Sequence, residues 1–102
     1  MAKLVVLYKK AQNAAAFNSY YASTHAPLAK KIPGLRDYQI SAGAVSTPQG
    51  DSAYQLVAIL SFDSLDALKR GLSSPEGQAA AGDLANFAQA GVELLMFDSK
   101  EA

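Results

Sequence analysis

Cysteine is absent from the 102 residues, which excludes a disulfide framework, a thiolate metal site and a cysteine nucleophile together. Neither charge sign is in excess: nine Lys plus Arg face nine Asp plus Glu, so nothing draws the chain toward nucleic acid or an anionic membrane. No apolar run approaches the roughly 20 residues that cross a bilayer. Lys3 leads straight into Leu4-Val5-Val6-Leu7-Tyr8, a run too short for a signal-peptide core. No G-x-G-x-x-G turn, G-x-x-x-x-G-K-[ST] loop or G-x-S-x-G elbow occurs, and one histidine with dispersed carboxylates offers no metal-ligand spacing. The expectation is a soluble cytoplasmic protein with no metal, no cofactor, no nucleic acid and no membrane among its partners.

What is present fits one packed domain over residues 1–102: half the residues are hydrophobic and 18% are charged. Lys3 to Lys9 reads as a strand. Asn13 then caps a helix with Phe17, Tyr21, Thr24, Leu28 and Ile32 on one side and Asn18, Ser19, Ser23 and Lys30 on the other. Pro27 removes an N–H from that helix and predicts a kink near Ala26, and Pro33-Gly34 ends it. Leu35 to Val45 and Ala53 to Phe62 form a hairpin about the Ser46 to Asp51 turn. Asp63 is the expected N-cap of a short helix to about Gly71, and Ser74-Pro75 opens a second helix to about Phe87. Its inward stripe is Gly77, Ala80, Ala81, Leu84, Phe87 and Ala88, with Gln78, Asn86 and Gln89 pointing away. Val92 to Phe97 is the last strand.

The order β-α-β-β-α-β predicts an α+β, ferredoxin-like fold, an antiparallel four-stranded sheet with both helices on one face. The strands are apolar on both faces: Leu4, Val6 and Tyr8 oppose Val5 and Leu7, and Tyr54, Leu56, Ala58 and Leu60 oppose Val57 and Ile59. Helices from so short a chain cover one face, so a second subunit is expected on the other, most economically as a homodimer.

The stretch Tyr20-Tyr21-Ala22-Ser23-Thr24-His25-Ala26-Pro27-Leu28-Ala29-Lys30-Lys31-Ile32-Pro33-Gly34-Leu35 resembles the signature of the EthD family, and Ser73-Ser74-Pro75-Glu76-Gly77-Gln78-Ala79 resembles its second recurring segment. The resemblance covers essentially the whole chain. It implies a dimeric α+β barrel in which two ferredoxin-like sheets pack face to face. The family takes its name from gene clusters for ethyl tert-butyl ether degradation, where such a protein accompanies a monooxygenase system. Related dimeric barrels include cofactor-free quinol monooxygenases, muconolactone-type isomerases, haem enzymes and polyketide cyclases, among which the fold does not choose.

His25, the only histidine, lies roughly 80° from Phe17 on the helical wheel, at the border of the apolar stripe, one turn after Tyr21. A helix–sheet pocket would present both: His25 as general acid or base and Tyr21 orienting it. Equally, His25 could hydrogen-bond a carbonyl freed by the Pro27 kink, or cap the helix against the sheet, with no chemistry at all. Tyr8, Phe17, Leu28, Phe62, Phe87 and Met96 are the candidate pocket residues, and Tyr20, Tyr38 and Tyr54 supply further phenols. Arg36 is expected in a surface pair with Asp37 or another acid.

Two functions compete. In the first, the protein binds a small apolar or aromatic metabolite and performs cofactor-free isomerisation, dehydration or oxidation through His25. In the second, it is a non-catalytic dimer that carries a metabolite or assists a partner oxygenase. Haem held by His25 is a third and lesser reading.

Overall fold

The computed structural model describes all residues from Met1 to Ala102. The chain runs β1 (Ala2–Lys9), α1 (Ala14–Tyr20), a π-helical turn (Tyr21–His25), α2 (Ala26–Ala29), β2 (Asp37–Ile40), β3 (Ser46–Thr47), β4 (Gly50–Asp51), β5 (Tyr54–Phe62), α3 (Leu65–Ser73), α4 (Pro75–Phe87) and β6 (Val92–Asp98). Strands β2, β5, β1 and β6 lie side by side in that order, every pairing antiparallel. This is the ferredoxin-like arrangement. No helix is long and apolar enough to cross a membrane.

Alternation sets the two faces of the sheet. Leu4, Val6 and Tyr8 of β1 and Leu56, Ala58, Leu60 and Phe62 of β5 are buried beneath the helices, where Phe17, Tyr21, Ala29, Ile32, Leu68 and Ala80 meet them. Each large side chain so removed from water contributes roughly 1.5–3 kcal/mol. Cross-strand partners point the same way, so Val5, Leu7, Val57, Ile59, Leu95 and Phe97 share the opposite face, which no helix covers. Ile59, Leu95 and Phe97 are exposed there.

The first helix differs from its expected phase. Asn13 caps it as anticipated, its side-chain oxygen accepting from the Ala16 N–H at 3.0 Å. Beyond Tyr20 the turn widens, and the Ala26 N–H donates to the Tyr21 carbonyl five residues back. Pro27 accounts for the position: it has no N–H to give and its ring crowds the carbonyl four residues before it, so one extra residue is absorbed just upstream. Everything beyond is rotated. The buried face becomes Phe17, Tyr21, His25, Ala29 and Ile32, while Thr24 turns to solvent and Leu28 is only half-buried.

Other expectations shift locally. The strand expected over Leu35 to Val45 is shorter, because after Ile40 the Ser41 hydroxyl accepts the Val57 N–H and Gly43 adopts a left-handed φ of 80°. The intervening turn is itself a two-stranded ribbon, Ser46 and Thr47 against Gly50 and Asp51. Ser64, not Asp63, caps α3, accepting from the Ala67 N–H at 3.0 Å. Asp63 instead takes both arms of Arg36, at 3.1 and 2.9 Å, so Arg36 pairs with Asp63 and not with Asp37.

The α3–α4 junction sets the angle of the last helix. Ser74 accepts from the Gly77 N–H at 3.0 Å and donates to the Gly71 carbonyl at 2.6 Å, joining one helix end to the next helix start. A methyl group on Gly77 would sit 2.1 Å from the Gly71 carbonyl oxygen, and one on Gly71 would sit 2.7 Å from that of Pro33. Glycine is required at both places for closeness. Along α4 and its C-cap, Gly77 and Ala80 are buried and Leu84, Phe87 and the capping Ala88 half-buried, but Ala81, expected inward, is exposed, and Asp83 is buried in its stead.

Candidate functional site

The widened turn carries His25 onto the buried face, 5% exposed, with α4 on one side and β1 beneath. Its Nδ1 lies 3.0 Å from Oδ2 of Asp83 and its Nε2 3.3 Å from Oη of Tyr8. Asp83 has its own support. Its Oδ1 accepts from the Tyr20 hydroxyl at 2.6 Å and from the Asn86 amide at 2.9 Å. Beside this chain the Tyr21 and Tyr38 hydroxyls bond each other. No buried side-chain nitrogen or oxygen lacks a partner.

Burial acts on both ends of the central pair. It works to raise the Asp83 carboxyl, but hydrogen bonds from Tyr20, Asn86 and His25 outweigh it and hold the group below the usual carboxylate range. For His25, burial outweighs the pull of Asp83 and keeps the imidazole below its ordinary value. The pair at neutral pH is therefore a carboxylate facing a neutral imidazole. Tyr8, Tyr21 and Tyr38 are all raised, chiefly by burial, and stay protonated.

Tyr8, Tyr21, His25 and Tyr38 are the polar residues lining a cavity of about 50 Å³, walled otherwise by aliphatic residues such as Leu4, Val6, Leu60 and Leu84. No charged side chain lines it. Toward solvent its wall is Ala81, Leu84 and Leu94, which are exposed or half-buried. Two larger open clefts lie outside. One, of about 510 Å³, runs over Phe17, Tyr20, Asn86 and Phe87. The other, of about 530 Å³, lies between α1 and the β2–β5 connection and includes the outer side of Tyr21 with Ile40, Tyr54 and Leu56.

The residues singled out in the sequence are therefore only partly gathered. Tyr8, Phe17, Tyr21, His25 and Phe87 form one aromatic cluster, with Phe87 4.6 Å from the His25 ring and Tyr8 edge-on to Phe17 and Tyr21 at 5.5 Å each. Of these only Tyr8, Tyr21 and His25 line the cavity. Tyr21 touches the His25 ring at a centroid distance of 5.3 Å, but its hydroxyl goes to Tyr38; Tyr8 and Asp83 are the groups that hold the imidazole. Leu28 stands outside the cavity. Phe62 pairs with Ala2 at the far end of the sheet, six residues and about 20 Å along the strand from the level of Tyr8. Met96 is 47% exposed on the edge strand β6, beyond the cover of α4. Tyr54 gives its hydroxyl to Glu93 at the surface.

Asp83 was not anticipated. Its signal was present: an acid three residues after Ala80 and four before Phe87 stands on the face assigned to the sheet. The site does not fit a haem, because both imidazole nitrogens are engaged and the cavity is far too small. No three His, Asp or Glu side chains converge as metal ligands.

Residues 9–91 match the EthD domain. The chain belongs to the EthD family. An 11.0 kDa protein of Rhodococcus erythropolis, encoded in the thcB-thcC intergenic region, is 38% identical over 102 residues, covering 98% of this chain and 96% of the relative. The crystal structure of an EthD family protein from Bacillus halodurans superposes with a TM-score of 0.90 at 33% identity, over 98% of this chain and 99% of that one. SnoaB, a cofactor-independent oxygenase from Streptomyces nogalater, shares the fold with a TM-score of 0.67 at 23% identity, over 99% and 94% of the two chains. This EthD chain thus carries its His25 and Asp83 within the matched region.

Proposed function

We propose that this EthD-family protein binds a small, uncharged apolar or aromatic metabolite in the pocket between helices and sheet, and that His25 moves a proton there without a cofactor. The observation that carries the reading is the His25–Asp83 pair. A histidine kept only for packing needs a carbonyl or two; this one has a carboxylate braced by two other donors, and it borders an apolar cavity. The absence of any cationic side chain in the cavity wall, with an ionised Asp83 behind the imidazole, disfavours a carboxylate ligand and favours phenols, quinols and enolisable ketones. Abstraction of a proton next to a carbonyl, leading to isomerisation or dehydration, or activation of an electron-rich ring for oxidation, is within the reach of one imidazole and one phenol.

About 50 Å³ holds a water or two, whereas a benzene-sized guest needs a cavity near 150 Å³. Entry accordingly displaces Leu84 and Leu94, the half-buried and exposed parts of the wall. The bare sheet face supports assembly as a homodimer, since Ile59, Leu95 and Phe97 stand exposed beside the half-buried Val5, Leu7 and Val57.

The same small cavity, with no imidazole nitrogen free, supports a second reading: a non-catalytic dimer that assists a partner oxygenase. Titration of the labelled protein with phenol and hydroquinone separates the two. Saturable shifts at Tyr8, Tyr21, His25 and Tyr38 are expected from a binding pocket. Shifts confined to the outer clefts, or none, favour the accessory role.

A further inference from the structure

The proton-transfer reading leaves open how His25 reaches a ligand when both its nitrogens are occupied. Oδ1 of Asp83 already faces two donors, Tyr20 and Asn86, and Oδ2 faces Nδ1. An ionised carboxylate only accepts, so the imidazole proton sits on Nδ1 and Nε2 is the acceptor. The hydroxyl 3.3 Å from Nε2 belongs to Tyr8, which is 1% exposed, lines the cavity, and comes from β1 rather than from the helix that carries the histidine. Tyr21 makes no hydrogen bond to either imidazole nitrogen; its hydroxyl pairs with that of Tyr38.

We infer that Tyr8 is the catalytic residue that meets the ligand, that His25 acts through it, and that Asp83 is a positioning residue that fixes which imidazole nitrogen is basic. The inference rests on the proposed proton-transfer function. In the forward step a ligand C–H or O–H proton passes to Oη of Tyr8 as the Tyr8 proton passes to Nε2. The electron pair of the broken bond stays on the ligand as an enolate or phenolate, and the new imidazolium is balanced by Asp83. The reverse sequence returns a proton to another ligand atom, so no oxidant or cofactor is consumed. The groups that face the imidazole are Asp83 from α4, Tyr8 from β1 and Tyr21 from its own turn, with Tyr20 and Asn86 behind the carboxylate.

Because His25 is the only histidine, its ring nitrogens can be read directly in protein labelled with ¹⁵N-histidine near neutral pH. The expected spectrum has the proton on Nδ1 and a hydrogen-bonded, unprotonated Nε2. In Tyr8→Phe the Nε2 resonance moves to that of an unbonded acceptor while the proton stays on Nδ1. In Asp83→Asn the amide oxygen stays with Tyr20 and Asn86, the new NH₂ faces Nδ1, and the proton transfers to Nε2. A wild-type spectrum with the proton on Nε2 overturns the inference without any variant, as does an unchanged Nε2 resonance in Tyr8→Phe. Deuterium exchange into cyclohexanone gives the functional arm. Tyr8→Phe is expected to lose about 10²-fold, as a lost general acid–base group does. Exchange lost in His25→Ala but kept in Tyr8→Phe removes the relay and leaves the proposed function standing; no exchange in the wild type removes that function instead.

Discussion

His25 and Asp83 are separated by 58 positions in the chain, yet their side chains lie 3.0 Å apart, both buried, at the contact of the first helical segment with α4. Two local devices produce that contact. The π turn before Pro27 rotates the histidine inward, and the glycine contacts at the α3–α4 junction bring the carboxylate to meet it.

The pair makes stability fall on acidification. Both groups have folded-state values below their unfolded ones. In the window below about pH 6.5, where an unfolded histidine protonates first, the unfolded chain binds more protons and stability drops. The Asp83 contribution is present above about pH 4 and is lost as pH falls through its lowered folded value. Thermal melts from pH 8 to pH 3 should show a decline beginning near the histidine value, absent in His25→Gln. Stability rising between pH 7 and pH 5 would contradict the account.

Asp83→Ala should be strongly destabilising. It strips the acceptor from the His25, Tyr20 and Asn86 donors at once, and the buried Nδ1–H of His25 left without a partner alone costs about 1–3 kcal/mol, while the half-buried Tyr20 and exposed Asn86 turn to water. Asp83→Asn keeps most of that network and should lose less. Urea unfolding of the two variants checks the order, and equal losses would mean that the site is packed rather than hydrogen-bonded together.

Two glycines of α4 should respond in opposite directions. Gly77→Ala drives a methyl group into the Gly71 and Leu72 carbonyls, and overpacking of this kind costs about 1–3 kcal/mol or more. Nothing lies within 4 Å of a methyl group on Gly82, so Gly82→Ala gains up to about 1 kcal/mol from helix propensity. Chemical denaturation midpoints should move down and up respectively.

The uncovered sheet face should hold a second copy. Light scattering of the wild type at micromolar concentration is expected to give twice the chain mass of 10.7 kDa, and Ile59→Glu, which puts a charge amid that face, should give the monomer. A wild-type monomer at that concentration removes the dimer.

Much of this was readable in the sequence because it follows from periodicity. Alternation in Leu4 to Tyr8 and Tyr54 to Leu60 marked the strands and their two apolar faces, though not which face the helices bury, and Asn13 and Ser74 marked their helix starts correctly. The phase of the first helix was not readable. Counting at 100° per residue assigns Thr24 and Leu28 to the core, and only the extra residue of the π turn replaces them with His25 and Ala29. The candidate site suffered for the same reason: His25 stood at the edge of the stripe, Tyr21 was paired with it by spacing, and the true partners Tyr8 and Asp83 come from distant elements that only tertiary packing joins. Phe62 and Met96 shared the right composition but sit at the far end and the outer edge of the sheet.

The most direct test of the central claim is solvent deuterium exchange into cyclohexanone by wild type and His25→Ala, with both proteins shown to be folded. The account predicts an acceleration over buffer that falls by about 10²-fold or more in the variant. Equal rates in the two proteins would contradict it and leave His25 a buried, fully bonded part of the scaffold.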